Sequence, residues 1–167
     1  MKTLHLLRHA KSSWSQPGLA DRKRGLNKRG LRDAPLMGAA LSTLIEPQQI
    51  ITNTASRARL TLEGLCDGWP ALTDVQHTVE EDLYTFSSRD LIDYLSTRAE
   101  AESSLFLIGH NPAFTGVINW LTGCASVDNL PTAGYARLLL AVDRWLDLSA
   151  GCATLEFTVF PKDLRPS

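Results

Sequence analysis

Leu4-His5-Leu6-Leu7-Arg8-His9-Ala10-Lys11 is an apolar run that ends abruptly in a cation and an imidazole. Residues 2–7 read as a short buried strand, and an open α/β sheet presents its chemistry at the carboxyl ends of such strands. Ser104-Leu105-Phe106-Leu107-Ile108-Gly109 is a second strand of this kind. It also runs into a histidine, His110, followed by Asn111-Pro112. Gln49-Ile50-Ile51-Thr52 reads as a third, and the turn Asn53-Thr54-Ala55-Ser56 leads from it to Arg57. Parallel strands share one carboxyl edge, so His9, Arg57 and His110 are expected to converge there.

The intervening segments supply the layers. Asn27 is a good N-cap for a helix over 28–45, with Leu31, Ala34, Leu41, Leu44 and Ile45 at helical spacing. Pro35 lacks an amide proton and should kink or interrupt it. Further helices are expected over 56–66, over 89–99 behind a Ser88 cap, and over 112–121, where proline is permitted at the first position. Residues 75–79 read as an edge strand, and two strands over 135–142 and 153–160 close the chain. This order predicts one domain over residues 1–167: a three-layer α/β sandwich with a mostly parallel central sheet.

The chain has 167 residues, 44% hydrophobic and 21% charged, enough for one proper core and too apolar for disorder. No apolar run approaches the roughly 18 residues of a membrane span. Arg8 and Lys11 cut the amino-terminal run short of the about 7–15 residues of a secretory leader, so a cytoplasmic protein is expected. Cys66, Cys124 and Cys152 make no metal spacing and read as reduced, mostly buried thiols. Charge is uneven: nine of the 17 Lys/Arg but one of the 18 acids, Asp21, fall in residues 1–32. Such a segment can attract an anion. Nucleic acid is not expected, because the whole chain is slightly acidic and has no nucleic-acid motif.

Other chemistries lack their spacing. His5, His9, His77 and His110 form no HxH or HExxH pattern, and no Asp or Glu adjoins His9 or His110. His5 reads as a core or sheet-face residue and His77 as a surface one. There is no GxSxG elbow for a serine nucleophile, and no glycine-rich nucleotide loop follows the first strand.

Arg8-His9-Ala10-Lys11-Ser12 resembles the RHG signature of the histidine phosphatase (phosphoglycerate mutase-like) superfamily. Asn53-Thr54-Ala55-Ser56-Arg57-Ala58-Arg59-Leu60-Thr61 is similar to its second motif, S-P-x-x-R-A-x-Q-T, and Gly109-His110-Asn111-Pro112 to its second-histidine motif. The stretch from Asp21 to Asp33 resembles the segment before its first long helix. The short length, with no large helical insertion, resembles the SixA-type phosphohistidine phosphatases. Ala10 stands for the usual Gly, Asn53-Thr54 for Ser-Pro, and Gly25 for a Pro often found after the arginine matching Arg24. None of these removes a core catalytic residue.

The resemblance implies a phosphatase that needs no metal or cofactor. His9 would be the nucleophile and would form a phosphohistidine intermediate; Arg8, Arg57 and His110 would hold the phosphate. Arg24 would reach the pocket rim. Larger members use a loop Glu as general acid; Glu81 and Asp82 are the candidates for it here, although short members lack a clear equivalent, and the other reading is a solvated loop. The leaving group separates the substrates. Phosphohistidine releases an imidazole whose conjugate acid has a pKa of roughly 6.5, whereas an ester releases an alkoxide and needs an acid. The expected substrate is therefore phosphohistidine in a protein. The alternatives are a small phosphate ester at the same site, or a non-catalytic phosphate-binding module.

Overall fold

In the computed structural model, which describes residues 1–166, six strands form one sheet. They are β1 (Lys2–Arg8), β2 (Ile50–Thr52), β3 (Thr78–Val79), β4 (Ser104–Gly109), β5 (Tyr135–Leu140) and β6 (Ala153–Val159), in the order β3-β2-β4-β1-β5-β6. β3, β2, β4 and β1 are mutually parallel, while β5 runs antiparallel to β1 and to β6. The parallel half matches the predicted sheet; the two closing strands make it mixed.

Helices α1 (Lys28–Ser42) and α2 (Ser56–Gly68) cover one face, and α3 (Ser88–Ser96) and α4 (Ala113–Thr122) the other. The side-chain period of two along a strand divides the core. Leu4 and Leu6 of β1 join Leu105 and Leu107 of β4 under Leu91, Leu95, Phe114, Val117 and Leu121. Leu7 joins Phe106 and Ile108 under Ala34, Met37, Leu41, Ala58 and Leu65. Full burial of each of the larger side chains among these is worth about 1.5–3 kcal/mol. The expected three-layer sandwich is therefore present, with no large helical insertion.

Local signals deviate in instructive ways. Asn27 caps α1 as expected, its side chain accepting from the Gly30 amide at 2.9 Å. The helix runs through Pro35 without interruption and ends at Ser42. Its buried stripe is Ala34, Met37, Gly38 and Leu41, spaced three and four apart, whereas Leu31 and Leu44 are exposed. Gly38 explains the stripe: a Cβ there would lie 2.3 Å from the Leu65 carbonyl oxygen, so only glycine lets α1 approach α2 this closely. The cap of α3 is Ser87, not Ser88; its side chain accepts from the Asp90 amide. The expected edge strand over 75–79 shrinks to Thr78–Val79, and a 3₁₀ turn over Pro70–Asp74 precedes it.

His77 is not a free surface residue. Its Nδ1 accepts from the Ile50 amide at 2.9 Å, and its Nε2 proton goes to the Leu72 carbonyl at 2.8 Å, tying that turn to the start of β2. His5 is buried, 5.3 Å from the Phe106 ring and 2.6 Å from the Tyr135 hydroxyl. The three cysteines are unpaired, and none is fully buried.

Candidate active site

The register of β1 and β4 sets the centre of the site. Arg8 lies opposite Gly109, so the next residue on each strand is a histidine. The His9 amide donates to the Gly109 carbonyl at 3.0 Å, and the two imidazole rings lie 5.0 Å apart. The third residue comes from β2. The buried Asn53 side chain accepts from the Ala55 amide at 2.9 Å, shaping the turn so that α2 begins at Ser56 and its first turn delivers Arg57. An Asx turn thus stands where the resembled motif has Ser-Pro.

Arg57 touches both histidines. Its Nε lies 3.4 Å from His9 Nε2, and one terminal nitrogen lies 3.4 Å from His110 Nδ1. A guanidinium only donates, so both ring nitrogens accept. Each ring therefore carries its proton on the other nitrogen. His9 Nδ1–H donates to the Ala10 carbonyl at 2.7 Å, which leaves the Nε2 lone pair facing Arg57. His110 carries its proton on Nε2, and that atom is buried with no partner among the described residues.

The electrostatics keep both rings neutral. Burial pushes His9 down to about 3, against the raising effect of its bond to Ala10; His110, Arg57 and Arg8 push the same way as burial. His110 is also lowered to about 3, by burial first and then by Arg57. The structure makes it a donor while neutral, through Nε2–H.

Arg8 donates one terminal nitrogen to the Leu130 carbonyl at 2.9 Å, but its Nε is buried without a partner among the described residues. An unmet buried donor costs about 1–3 kcal/mol. Two such donors, beside an imidazole lone pair and a second guanidinium, suit a phosphoryl group that brings its own oxygens. The cavity here holds about 240 Å³ and is lined by Arg8, His9, Lys11, Trp14, Asp21 and Arg57, and also by Phe86, Asn111 and Thr132.

Second contacts hold these groups in place. The Ala10 amide donates to the Thr61 hydroxyl at 2.9 Å, and that hydroxyl donates to the Arg57 carbonyl at 2.7 Å. Asn111 donates to the Leu130 carbonyl, the same atom that receives Arg8, and accepts from the Thr115 amide at the start of α4. A Cβ at Gly109 would lie 2.7 Å from the Phe114 ring, so glycine is needed where β4 hands over to His110.

Three sequence candidates fall elsewhere. Glu81 is exposed and paired with Arg22 and the Thr54 hydroxyl; those hydrogen bonds, Arg22's first, lower its pKa and keep it ionised, the wrong state for an acid. Asp82 lines a separate groove with Asp90, Asp93 and Tyr94. Arg24 is buried, donates to the Gln16 and Pro17 carbonyls at 3.1 and 3.0 Å, and lies 3.8 Å over the Trp14 ring. It braces the loop that carries Trp14 and does not itself line the cavity.

With that geometry established, comparisons with known proteins identify the relatives. A family model of the histidine phosphatase superfamily (branch 1) matches residues 4–110. The chain belongs to the histidine phosphatase superfamily. An uncharacterised protein of Mycobacterium tuberculosis is 31% identical over 159 residues, covering 89% of this chain and 96% of that one. Among solved structures, SixA of Agrobacterium tumefaciens superposes with a TM-score of 0.77 at 25% identity, over 96% of this chain and 98% of that one. The protein histidine phosphatase SixA complexed with tungstate gives 0.78 at 20% identity, over 98% and 99%. A mycobacterial glucosyl-3-phosphoglycerate phosphatase gives 0.66 at 12% identity, over 94% and 98%. The family and the SixA-like fold make this chain a phosphatase of the histidine phosphatase type.

The structure also adds residues that the sequence did not flag. Asp21 accepts from Arg57 at 2.9 Å and from the Tyr84 hydroxyl at 2.5 Å. Phe86 stacks on His110 with ring centroids 4.9 Å apart. Asp21 stood out in the sequence only as the one acid of a basic segment. That segment is itself partly neutralised: Arg22 pairs with Glu81, while Arg29, Arg32 and Arg165 surround the fully buried Asp33.

Proposed function

We propose that this histidine phosphatase removes phosphate from phosphohistidine in a protein, through a phosphohistidine intermediate on His9, without a metal or other cofactor. The observation that carries the reading is the tautomer of His9: Nδ1–H is held by the Ala10 carbonyl, and the Nε2 lone pair faces Arg57. Arg8, Arg57 and the Nε2 proton of His110 receive the phosphoryl oxygens as they swing through the transition state. The three cations of the lining, Arg8, Lys11 and Arg57, disfavour a metal ion.

Proton inventory points to the leaving group. When His9 Nε2 takes the phosphoryl group, Nδ1 keeps its proton and the ring becomes a cationic adduct. A phosphohistidine substrate protonated on its far ring nitrogen releases a neutral imidazole, and its electron pair needs no further proton. An ester would release an alkoxide. Asp21 is the one carboxylate lining the cavity among the described residues. Burial alone would raise its pKa, but the hydrogen bonds from Tyr84 and Arg57, with the charge of Arg57, lower it overall. It is therefore ionised and has no proton to give. The aromatic side chains of Trp14 and Phe86 at the cavity rim offer faces to a planar imidazole.

Among the described residues no helix is long and apolar enough to cross a membrane. Unpaired cysteines are consistent with the reducing cytoplasm as the working compartment.

The test compares turnover of a phosphohistidine-bearing protein with that of an aryl phosphate. A preference of at least tenfold in kcat/KM for the phosphohistidine is expected, with loss of both activities in His9→Ala. A strong preference for the ester would assign the site to small phosphate esters. Binding of tungstate without turnover of either would make it a recognition module.

A further inference from the structure

We propose that Asp21 is the base that receives the proton of the hydrolytic water when the phosphohistidine on His9 is cleaved, and that Tyr84 fixes its carboxylate for that role. The inference rests on the His9 intermediate proposed above and assigns its second half.

Water attacks the phosphorus, the phosphorus–nitrogen bond breaks, and its electron pair returns to His9 Nε2. Because Nδ1–H stays bound to Ala10, the imidazole leaves neutral and takes up no proton. The water proton therefore goes either to a phosphoryl oxygen or to a group around the cavity, and a positioned carboxylate can take it as the water attacks. Around the cavity the choices are few. His110 directs its one free lone pair, on Nδ1, at Arg57. Asn111 Oδ1 already accepts from the Thr115 amide and hydroxyl. Arg8, Arg57 and Lys11 are cations. The hydroxyls of Ser12 and Thr132 are far weaker bases than a carboxylate.

Asp21 has the right construction. Its Oδ2 is held by Arg57 at 2.9 Å and by the Tyr84 hydroxyl at 2.5 Å, and its own carbonyl accepts a second Arg57 nitrogen at 2.8 Å. Two contacts on the carboxylate and one on the backbone thus fix Asp21 against the guanidinium that also touches His9. Oδ1 has no hydrogen bond among the described residues, and the side chain is 45% exposed, so water can reach it. Asp21 is a weak base by position. That suffices here, because a phosphoryl group on a cationic imidazole is already a reactive electrophile. The same low basicity keeps the carboxylate charged at neutral pH.

Rapid quench with radiolabelled phosphoramidate separates the two halves. In the wild type, acid-labile phosphate should appear transiently on His9. In Asp21→Asn, which keeps the shape and an oxygen for Arg57, formation of the adduct should stay within about tenfold. Its breakdown should slow by on the order of 100-fold, within the usual reach of a general base. The adduct would then accumulate, with a burst of one phosphate per site. If both steps slow in proportion, or neither slows, Asp21 only holds Arg57 and the inference falls while the intermediate stands. If the wild type never labels on His9, the intermediate itself falls. Tyr84→Phe supplies a readout independent of folding. The groups facing Asp21 are Arg57, Tyr84 and His110, with Arg22 over the Tyr84 ring. Removing the hydroxyl's hydrogen bond should move the acidic limb of the breakdown rate to higher pH; an unmoved limb removes Tyr84 from the proposal.

Discussion

Arg57 Nε stands 3.4 Å from His9 Nε2, while a terminal nitrogen of the same guanidinium grips Asp21 at 2.9 Å. One side chain therefore fixes the His9 tautomer, opposes protonation of both histidines and anchors the cavity's carboxylate. A planar fork can do this at three points at once; an ammonium cannot.

Arg57→Lys tests that multiplicity. Lysine keeps the charge but loses the fixed geometry toward His9, His110 and Asp21. The expected result is a fall in kcat/KM of roughly 10²–10³, the range seen when one preorganised donor to a transition state is lost. Thermal unfolding should change little, because the replacement keeps the positive charge beside Asp21.

Thr61→Val probes the scaffold beneath His9, the proposed nucleophile. The Thr61 hydroxyl receives the Ala10 amide, and Ala10 in turn holds His9 Nδ1. Valine matches the shape but leaves a buried amide unpaired, at a cost of about 1–3 kcal/mol. Denaturant unfolding should show that loss. Activity should fall further than stability alone explains, because the Ala10 carbonyl is then free to shift.

Acid sensitivity follows from three buried rings. His5 is lowered to about 4, chiefly by burial and then by Arg137, and His9 and His110 to about 3. In the unfolded chain each binds a proton near pH 6.5. Above that pH the rings are neutral in both states and contribute no pH dependence. Below it the unfolded chain takes up protons that the folded chain refuses. Stability then falls with pH, by up to about 1.4 kcal/mol per pH unit for each ring, until the folded pKa values are reached. The melting temperature should be steady above pH 7 and drop steeply between pH 6.5 and 4. His5→Gln, remote from the cavity, should make that drop shallower by about a third.

The sequence made the centre of the site legible for a physical reason. Strand ends are read from apolar runs, and β1, β2 and β4 each end beside a residue that phosphate chemistry requires. Residues placed by irregular segments were harder. Asp21 lies in a short 3₁₀ turn inside a long loop, and nothing in its spacing shows that it folds onto Arg57. Glu81 had the same problem in reverse: an acid near the expected place, drawn away by Arg22. In α1 the helical period was correct but its phase was off, because Gly38 and Met37, more than Leu31 and Leu44, decide which face meets α2. The basic segment read as a field for anions, yet Arg29 and Arg32 serve Asp33, a buried charge the sequence had hidden in an ordinary helix pattern.

Glu81→Gln and Asp82→Asn bear on the substrate directly. A general acid contributes about 10²–10⁴-fold when it protonates a poor leaving group. Glu81 sits outside the cavity, ionised against Arg22, and Asp82 faces the α3 groove. Neither amide variant should change kcat/KM for a phosphohistidine protein by more than about twofold. Arg24→Met makes the useful contrast. It removes the two carbonyl contacts that shape the loop under Trp14, and so should raise KM several-fold with little change in kcat. A fall in kcat for an aryl phosphate in Glu81→Gln, with phosphohistidine turnover intact, would show that the loop closes during ester cleavage and brings Glu81 to the leaving oxygen. Unchanged turnover of both substrates would leave the cavity without an external acid, as its proton inventory requires.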